Sequence, residues 1–418
     1  MRPFRMRCAG LLAAVVAAVA LAAAPARADT VTKWNEHATD ALIATARQTP
    51  PVSTIHLAMV HGAVFDAVNS IERAYEPYLV RVRARRWYSK DAATATAAYR
   101  VLLSLLPAQK PTLDAHYAAS LAPVPEGPAK AGGVRVGKVA AAAMVADRDD
   151  DGRFGLYRFP VRTGPGEWRP VPPMFVNDPN AWVGQVRPFL IESPSQFATD
   201  GPYDLDSRGY AREFKEVKRL GSATSTARTA DQTDAALFWA EGPMILTRLA
   251  RQLSARFGLS TAENARLFAM QYLTGADALI AVWDDKARWL FWRPLTAIHE
   301  AHTDGNPATE RDPDWMSLIG TPPYPDHPSG LSGVVSAMCE SFEDFFGTDR
   351  IAFSATSGNS GTTRRFRSFS QATQEVVDAR VWSGIHFRKA DEDAARIGRQ
   401  VSRWRDRLYF EKEGEEDH

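Results

Sequence analysis

The sequence predicts a mainly α-helical protein built as helical bundles. Three observations predict it: long stretches with apolar residues at three- and four-residue spacing, helix-start signals ahead of several of them, and a scarcity of the alternating patterns that mark strands. One region departs from this. Residues 151–206 are rich in Gly, Pro and Trp, as in Gly164-Pro165-Gly166-Glu167-Trp168-Arg169-Pro170. They read as a long irregular segment connecting an N-terminal helical part, 29–150, to a C-terminal helical bundle, 207–410, and segments of this kind often act as functional covers or spacers.

The elements follow in order. Arg2, Arg5 and Arg7 precede an apolar run from Leu11 to Ala24, and Ala26-Arg27-Ala28 supplies a small-x-small cleavage signal. Residues 1–28 therefore read as a secretory signal peptide, and the mature chain is expected in the periplasm or outside the cell. Residues 90–106, rich in Ala and Leu, should form a helix that stops at Pro107, and residues 128–148 another that ends in an acidic run. Ser260-Thr261-Ala262-Glu263 is a capping box opening a long helix towards Lys286. Pro328 suits the first turn of a helix reaching about Phe346; further helices should cover roughly 370–383 and 389–407, and the acidic tail 411–418 should fray.

Composition narrows the function classes. The 418 residues are 45% hydrophobic and 24% charged, enough for a large core. Loss of Arg2, Arg5, Arg7 and Arg27 would leave 46 of the 50 basic residues against 49 acidic ones, so no basic field argues for nucleic acid. Beyond the leader no run of 18 apolar residues suggests a membrane span. Only Cys339 would survive cleavage, which excludes an intrachain disulfide, and its apolar setting suits a buried small hydrophobe. Asp147-x-Asp149-x-Asp151-Gly152 opens like a calcium loop but has Arg158 where a bidentate Glu is needed. His56 and His61, five apart, do not share a helix face as a metal pair would.

Three clusters carry the chemistry. Lys286-x6-Arg293-Pro294 places two cations seven residues apart, on one face if the helix is continuous, among Trp283, Trp289, Phe291 and Trp292. Cations enclosed by apolar material need a counter-anion. Pro328-Ser329-Gly330 stands at a helix start, where free N–H groups, the Ser329 hydroxyl and a backbone open at Gly330 suit an oxyanion. Arg380-x5-His386 adds a guanidinium that can grip two oxygens and an imidazole able to act as nucleophile or ligand, provided the helix ends near Gly384 and lets both turn inward.

The order and content of these clusters resemble the vanadium-dependent haloperoxidases and the type-2 phosphatidic acid phosphatase superfamily, whose signature is Lys-x6-Arg-Pro, Pro-Ser-Gly-His and Ser-Arg-x5-His. The surrounding text FWRPLTAIHEAHTDGNPATERDP, TPPYPDHPSG, FFGTDRIAF and RVWSGIHFRKADEDAARIGRQV is similar to the secreted bacterial haloperoxidase branch, with weaker similarity at AMVHGAVFDAVNSIE and FWAEGP. The resemblance implies a pair of four-helix bundles. It implies that Lys286, Arg293, Ser329, Gly330 and Arg380 bind the oxygens of vanadate or phosphate. His386 would be the axial vanadate ligand of a peroxidase, or the phosphorylated nucleophile of an acid phosphatase. The implied partners are hydrogen peroxide and a halide, or a small phosphoester, and homodimers are common in the family.

Two positions depart from the signature. Ala379 stands where the family has Ser before the arginine, and Leu331 stands where it has the acid–base histidine. Leucine has no proton to exchange, and loss of a general acid or base typically costs about 10²–10⁴ in rate. His327, two residues before Ser329, is the nearest surrogate, with Asp326 able to orient it; His299 and His302 are more distant ones. An anion binder that has lost turnover is therefore a third reading beside peroxidase and phosphatase.

Overall fold

The computed structural model describes residues 29–412. The signal peptide read over 1–28, and the part of the acidic tail beyond residue 412, lie outside the described residues. Thirteen α-helices and one small antiparallel hairpin make up the regular structure among those described.

The first group comprises α1 (Thr30–Thr39), α2 (Pro50–Glu72), α3 (Lys90–Leu105), α4 (Lys110–Leu121) and α5 (Pro128–Asp147). α2 is apolar on every side and is buried along nearly its whole length, which puts it at the centre. The small alanines of α3 let α5 approach closely, and both pack on α2. The calcium-like run at 147–152 is instead a helix end. Arg148, fully buried, donates from Nε to Asp151 Oδ2 at 2.8 Å, and Arg153 holds the other oxygen at 2.9 Å.

The second group begins with α6 (Arg208–Leu220), α7 (Ala230–Trp239) and α8 (Met244–Phe257). It continues with α9 (Thr261–Trp289), α10 (Pro294–His299), α11 (Gly330–Phe346), α12 (Phe369–Trp382) and α13 (Arg388–Leu408). β1 (Phe353–Thr356) pairs with β2 (Thr363–Phe366) between α11 and α12. The capping box of Ser260 and Glu263 starts α9 as the sequence predicts. α13 buries Ala390, Ala394, Ile397 and Val401, a helical stripe facing α11. α9 is the spine: it packs on α11 and α13 and, across the molecule, on α2, so one continuous core serves both groups.

The 151–206 segment contains only a short 3₁₀ turn, Ala181–Gln185, yet much of it is buried. Backbone leaving water must find partners, and here buried carboxylates supply them. Asp277 of α9 accepts from the backbone N–H groups of Phe189, Leu190 and Ile191 at 2.7, 2.6 and 2.8 Å. Asp285, two turns further on, accepts from the N–H and the hydroxyl of Thr199 at 2.9 and 2.5 Å. Asp66 of α2 does the same for Tyr78, Leu79 and Val80. Burial pushes the carboxyls of Asp66 and Asp277 up to about 6, while these N–H donors hold them down.

Candidate active site

The two cations of the first cluster are not on one helix face. α9 ends at Trp289, Leu290 takes a left-handed conformation (φ 45°), and Arg293 is the N-cap residue of α10, with Pro294 following. Proline cannot continue a helix interior, which is why the continuous-helix geometry fails. The turn is fixed from outside: Trp168 N–H donates to Leu290 O at 2.7 Å and Trp292 N–H to Gly166 O at 2.9 Å. The irregular segment therefore shapes the turn between Lys286 and Arg293.

The 324–328 strip wraps this turn. Lys286 Nζ, fully buried, donates to the carbonyls of Pro325 and Asp326 at 2.7 and 3.1 Å and also to that of Pro328. Arg293 Nε donates to Tyr324 O at 2.7 Å and its Nη1 to Ile385 O at 2.6 Å. The Tyr324 ring lies against both cations, 4.9 Å from Lys286 Nζ and 4.8 Å from Arg293 Cζ. Burial, together with the Arg293 charge, depresses the Lys286 ammonium well below its ordinary value.

The third cluster meets them. α12 stops at Trp382 and Gly384 has φ 80°. Its Cα lies so close to Gly221 that a Cβ on Gly384 would stand 2.3 Å from Gly221 O. Only glycine satisfies both conditions, and the reversal it allows turns His386 inward. His386 is fully buried, with Nε2 3.1 Å from Arg293 Nη1. Its Nδ1 is 2.9 Å from Asp326 Oδ1, in contact but off the axis of a hydrogen bond, so both Asp326 oxygens lack an aligned donor. Burial, then the charges of Arg293, Lys286 and Arg380, keep the imidazole well below its ordinary value and therefore neutral. Burial raises the Asp326 carboxyl well above the usual range against the pull of Arg293 and Lys286.

Arg380, at the end of α12, is 7% exposed and has no hydrogen-bond or ion-pair partner among the described residues; its Nε is buried without one. Arg293 Nη2 is orphaned in the same way. Ser329 is buried as the N-cap residue of α11, but its N–H already donates to Ala390 O at 2.8 Å. Pro328 precedes this cap instead of occupying the first turn. Gly330 answers to packing: a Cβ there would stand 2.7 Å from the Trp283 ring.

His327 points elsewhere. Its Nε2 lies 2.8 Å from the Thr199 hydroxyl, which donates to Asp285, and burial followed by the Lys389 charge depresses it strongly. His299 binds Trp315 O at 2.7 Å and His302 is exposed. Leu331 lines a cavity of 460 Å³ together with Arg380, Gly330, Tyr324 and Ile385, and no histidine lines it.

Two acids joined the cluster unheralded. Asp326 was read as a partner for His327 but faces His386 and Arg293. Asp391, in the first turn of α13, accepts from Ser332 Oγ at 2.8 Å, and Ser332 Oγ lies 3.4 Å from Ser329 Oγ. Burial pushes Asp391 up to about 7. The signal available for it was an acid at a helix start just after the third cluster.

Three buried cations, two of them with orphaned N–H groups, face two carboxyls that burial drives towards the neutral form. That donor set fits a tetrahedral oxyanion, vanadate or phosphate. The fold is the all-α fold of the bacterial vanadium haloperoxidases. Residues 266–409 match the model of the VCPO second helical-bundle domain. The vanadium chloroperoxidase of Curvularia inaequalis is 28% identical over 219 residues, 42% of this chain and 35% of that protein, so the match spans about a third of the relative. A bacterial vanadium-dependent iodoperoxidase superposes with TM-score 0.77 at 22% identity, covering 93% of this chain and 98% of that one. The holo-type bacterial vanadium-dependent chloroperoxidase gives TM-score 0.69 at 16% identity, covering 92% and 98%. The chain is therefore similar in sequence to the vanadium haloperoxidases over its second bundle and has the fold of the bacterial ones.

Proposed function

We propose that this chain is an exported protein that binds vanadate at the Lys286–Arg293–Arg380–His386 cluster and oxidises halide with hydrogen peroxide. The observation that carries this reading is Arg380, a buried guanidinium with no protein partner beside a neutral His386. Lys286, Arg293 and Arg380 would hold the anion's oxygens, with Ser329 as a hydroxyl donor and His386 Nε2 as the nitrogen ligand. Vanadate, when bound, supplies the peroxide activation. The protein holds the anion in place, excludes water and sets the charge around it. Asp326, 2.9 Å from His386 Nδ1, would hold the ring in place so that Nε2 faces the anion.

The same Asp326–His386 contact favours a second reading, an acid phosphatase with His386 as nucleophile. There Leu331 leaves the leaving group without a proton donor, so activated aryl phosphates would be the best substrates.

The test is bromide oxidation by the purified chain with hydrogen peroxide, with and without orthovanadate. Vanadate-dependent turnover supports the peroxidase. Hydrolysis of aryl phosphate inhibited by vanadate supports the phosphatase. Anion uptake with neither activity supports a binder that has lost turnover. Leu331→His is expected to raise whichever rate is found, by up to about 10²–10⁴; a flat rate with uptake preserved would show that the missing histidine is not the limiting defect.

A further inference from the structure

The cavity beside Leu331 is larger than the anion chemistry requires. Its volume, 460 Å³, is in the range of small-molecule sites, and its wall is mostly apolar. Leu331 and Val334 of α11 and Leu279 of α9 form part of it. Trp239 and Trp283 also line it, and their indole N–H groups already donate, to Glu375 at 3.0 Å and to Asp178 at 3.2 Å. What these indoles can offer a ligand is therefore ring surface. One end of the cavity carries the unpartnered Arg380, with Ile385 next to His386 in the chain. The carboxylates on the wall are engaged: Glu241 forms a two-pronged pair with Arg248 at 2.7 Å for each contact, and Asp178 accepts from Trp283 and from Asn180 N–H.

We propose that this cavity is an organic-substrate site for an oxyanion with an apolar body of aryl size or larger, its head on Arg380 and its body against Leu331, Val334 and the tryptophans. Three observations meet here. A buried guanidinium that makes no hydrogen bond to the protein selects an anionic head. Apolar and ring surfaces select an uncharged, hydrophobic body. Leucine at 331 adds apolar surface to the cavity that Arg380 also lines, where a histidine would have placed a polar group. The residue that departs from the family signature thus gains a role, as a wall of the substrate site. The proposal rests on the reading of the cluster as an oxyanion site and adds the substrate class, the organic oxyanion taking the place of inorganic phosphate or vanadate on Arg380.

The experiment is equilibrium binding to the purified chain, followed by tryptophan fluorescence and calorimetry, with inorganic phosphate, orthovanadate and phenylphosphonate as probes. Phenylphosphonate is expected to bind about tenfold tighter than inorganic phosphate, or more, because its ring leaves water for the cavity. Val334→Phe, which fills the cavity from α11, should abolish that advantage while inorganic phosphate uptake stays within about twofold, since Val334 offers the anion no polar atom. Equal binding of phosphate and phenylphosphonate by the unmodified chain would overturn the cavity proposal and leave the anion site standing. Uptake of none of the three probes would overturn the anion site, and this proposal with it. If Val334→Phe fails to fold, the comparison on the unmodified chain decides alone.

Discussion

Charge is buried in two regions of this molecule, and the two are finished differently. Along α9 and α2, Asp66 and Asp277 each accept from three backbone N–H groups of an irregular stretch. Around the turn that follows α9, Arg380 from the end of α12 is buried without a hydrogen bond, Arg293 keeps an orphaned Nη2, and Asp326 has no aligned donor. A buried charge whose bonding capacity is filled by its own chain is part of the architecture; one left unfilled waits for something else. Lys286 lies between the two cases, since three carbonyls already hold it. Effects on stability should therefore fall from the first region to the second.

The largest effect is expected at Asp277. Asp277→Ala strands three buried N–H groups at 189–191, and with about 1–3 kcal/mol for each unsatisfied group, partly relieved by water, a loss of about 3–5 kcal/mol is expected. Urea denaturation followed by circular dichroism measures it. A loss below about 1 kcal/mol would show that the 189–191 stretch does not depend on the carboxylate, and would remove the contrast between the regions.

Asp391 gives an intermediate effect with a defined pH window. Its folded carboxyl holds a proton up to about 7, whereas the unfolded value is near 3.8. The folded chain therefore binds the extra proton between these limits, and the contribution of Asp391 to stability is full below the window and declines as pH rises through it. The groups acting on it are the hydroxyls of Ser329 and Ser332 and the charges of Arg380 and Arg388. Against Asp391→Asn, which cannot titrate, the native chain should lose on the order of 2–3 kcal/mol between about pH 4 and pH 7. Paired urea titrations across that range test it; parallel curves for the two proteins would place the Asp391 proton outside the window.

Much of the helical frame was legible because its signals are local. The Ser260–Glu263 box, Pro107 after α3 and Gly384 after α12 lie within a few residues of the boundaries they set. The site was legible as a set of residue types at fixed spacings, but its geometry was not. Leu290 in a left-handed conformation is held by Trp168, far away in the chain, and no local pattern predicts that partner. Gly330 looked like an opening for an anion and proves to be where the Trp283 ring packs. The fastening of 151–206 left one readable trace, Asp277, an acid between Ala276 and Ala278 in an apolar stretch of a long helix. An acid on the buried face of a helix needs donors, and an irregular segment of buried backbone has them to give.

The smallest effect on stability is expected at Arg380, and it separates the two kinds of buried charge most sharply. Arg380→Ala removes a guanidinium that makes no bond to the protein and stands near Arg293 and His386. The lost stem packing and the lost attraction of Asp391 and Tyr324 oppose the relieved repulsion, so the change in stability should stay within about 1 kcal/mol. Orthovanadate uptake, by contrast, should weaken about tenfold to a hundredfold, the value of a charge-assisted hydrogen bond. Lys286→Ala should lower both uptake and stability, because it strands the carbonyls of Pro325, Asp326 and Pro328. Calorimetric titration with orthovanadate beside urea denaturation of the two variants reads both quantities. If Arg380→Ala unfolds the chain as readily as Lys286→Ala while uptake persists, Arg380 belongs to the architecture and the anion must sit elsewhere.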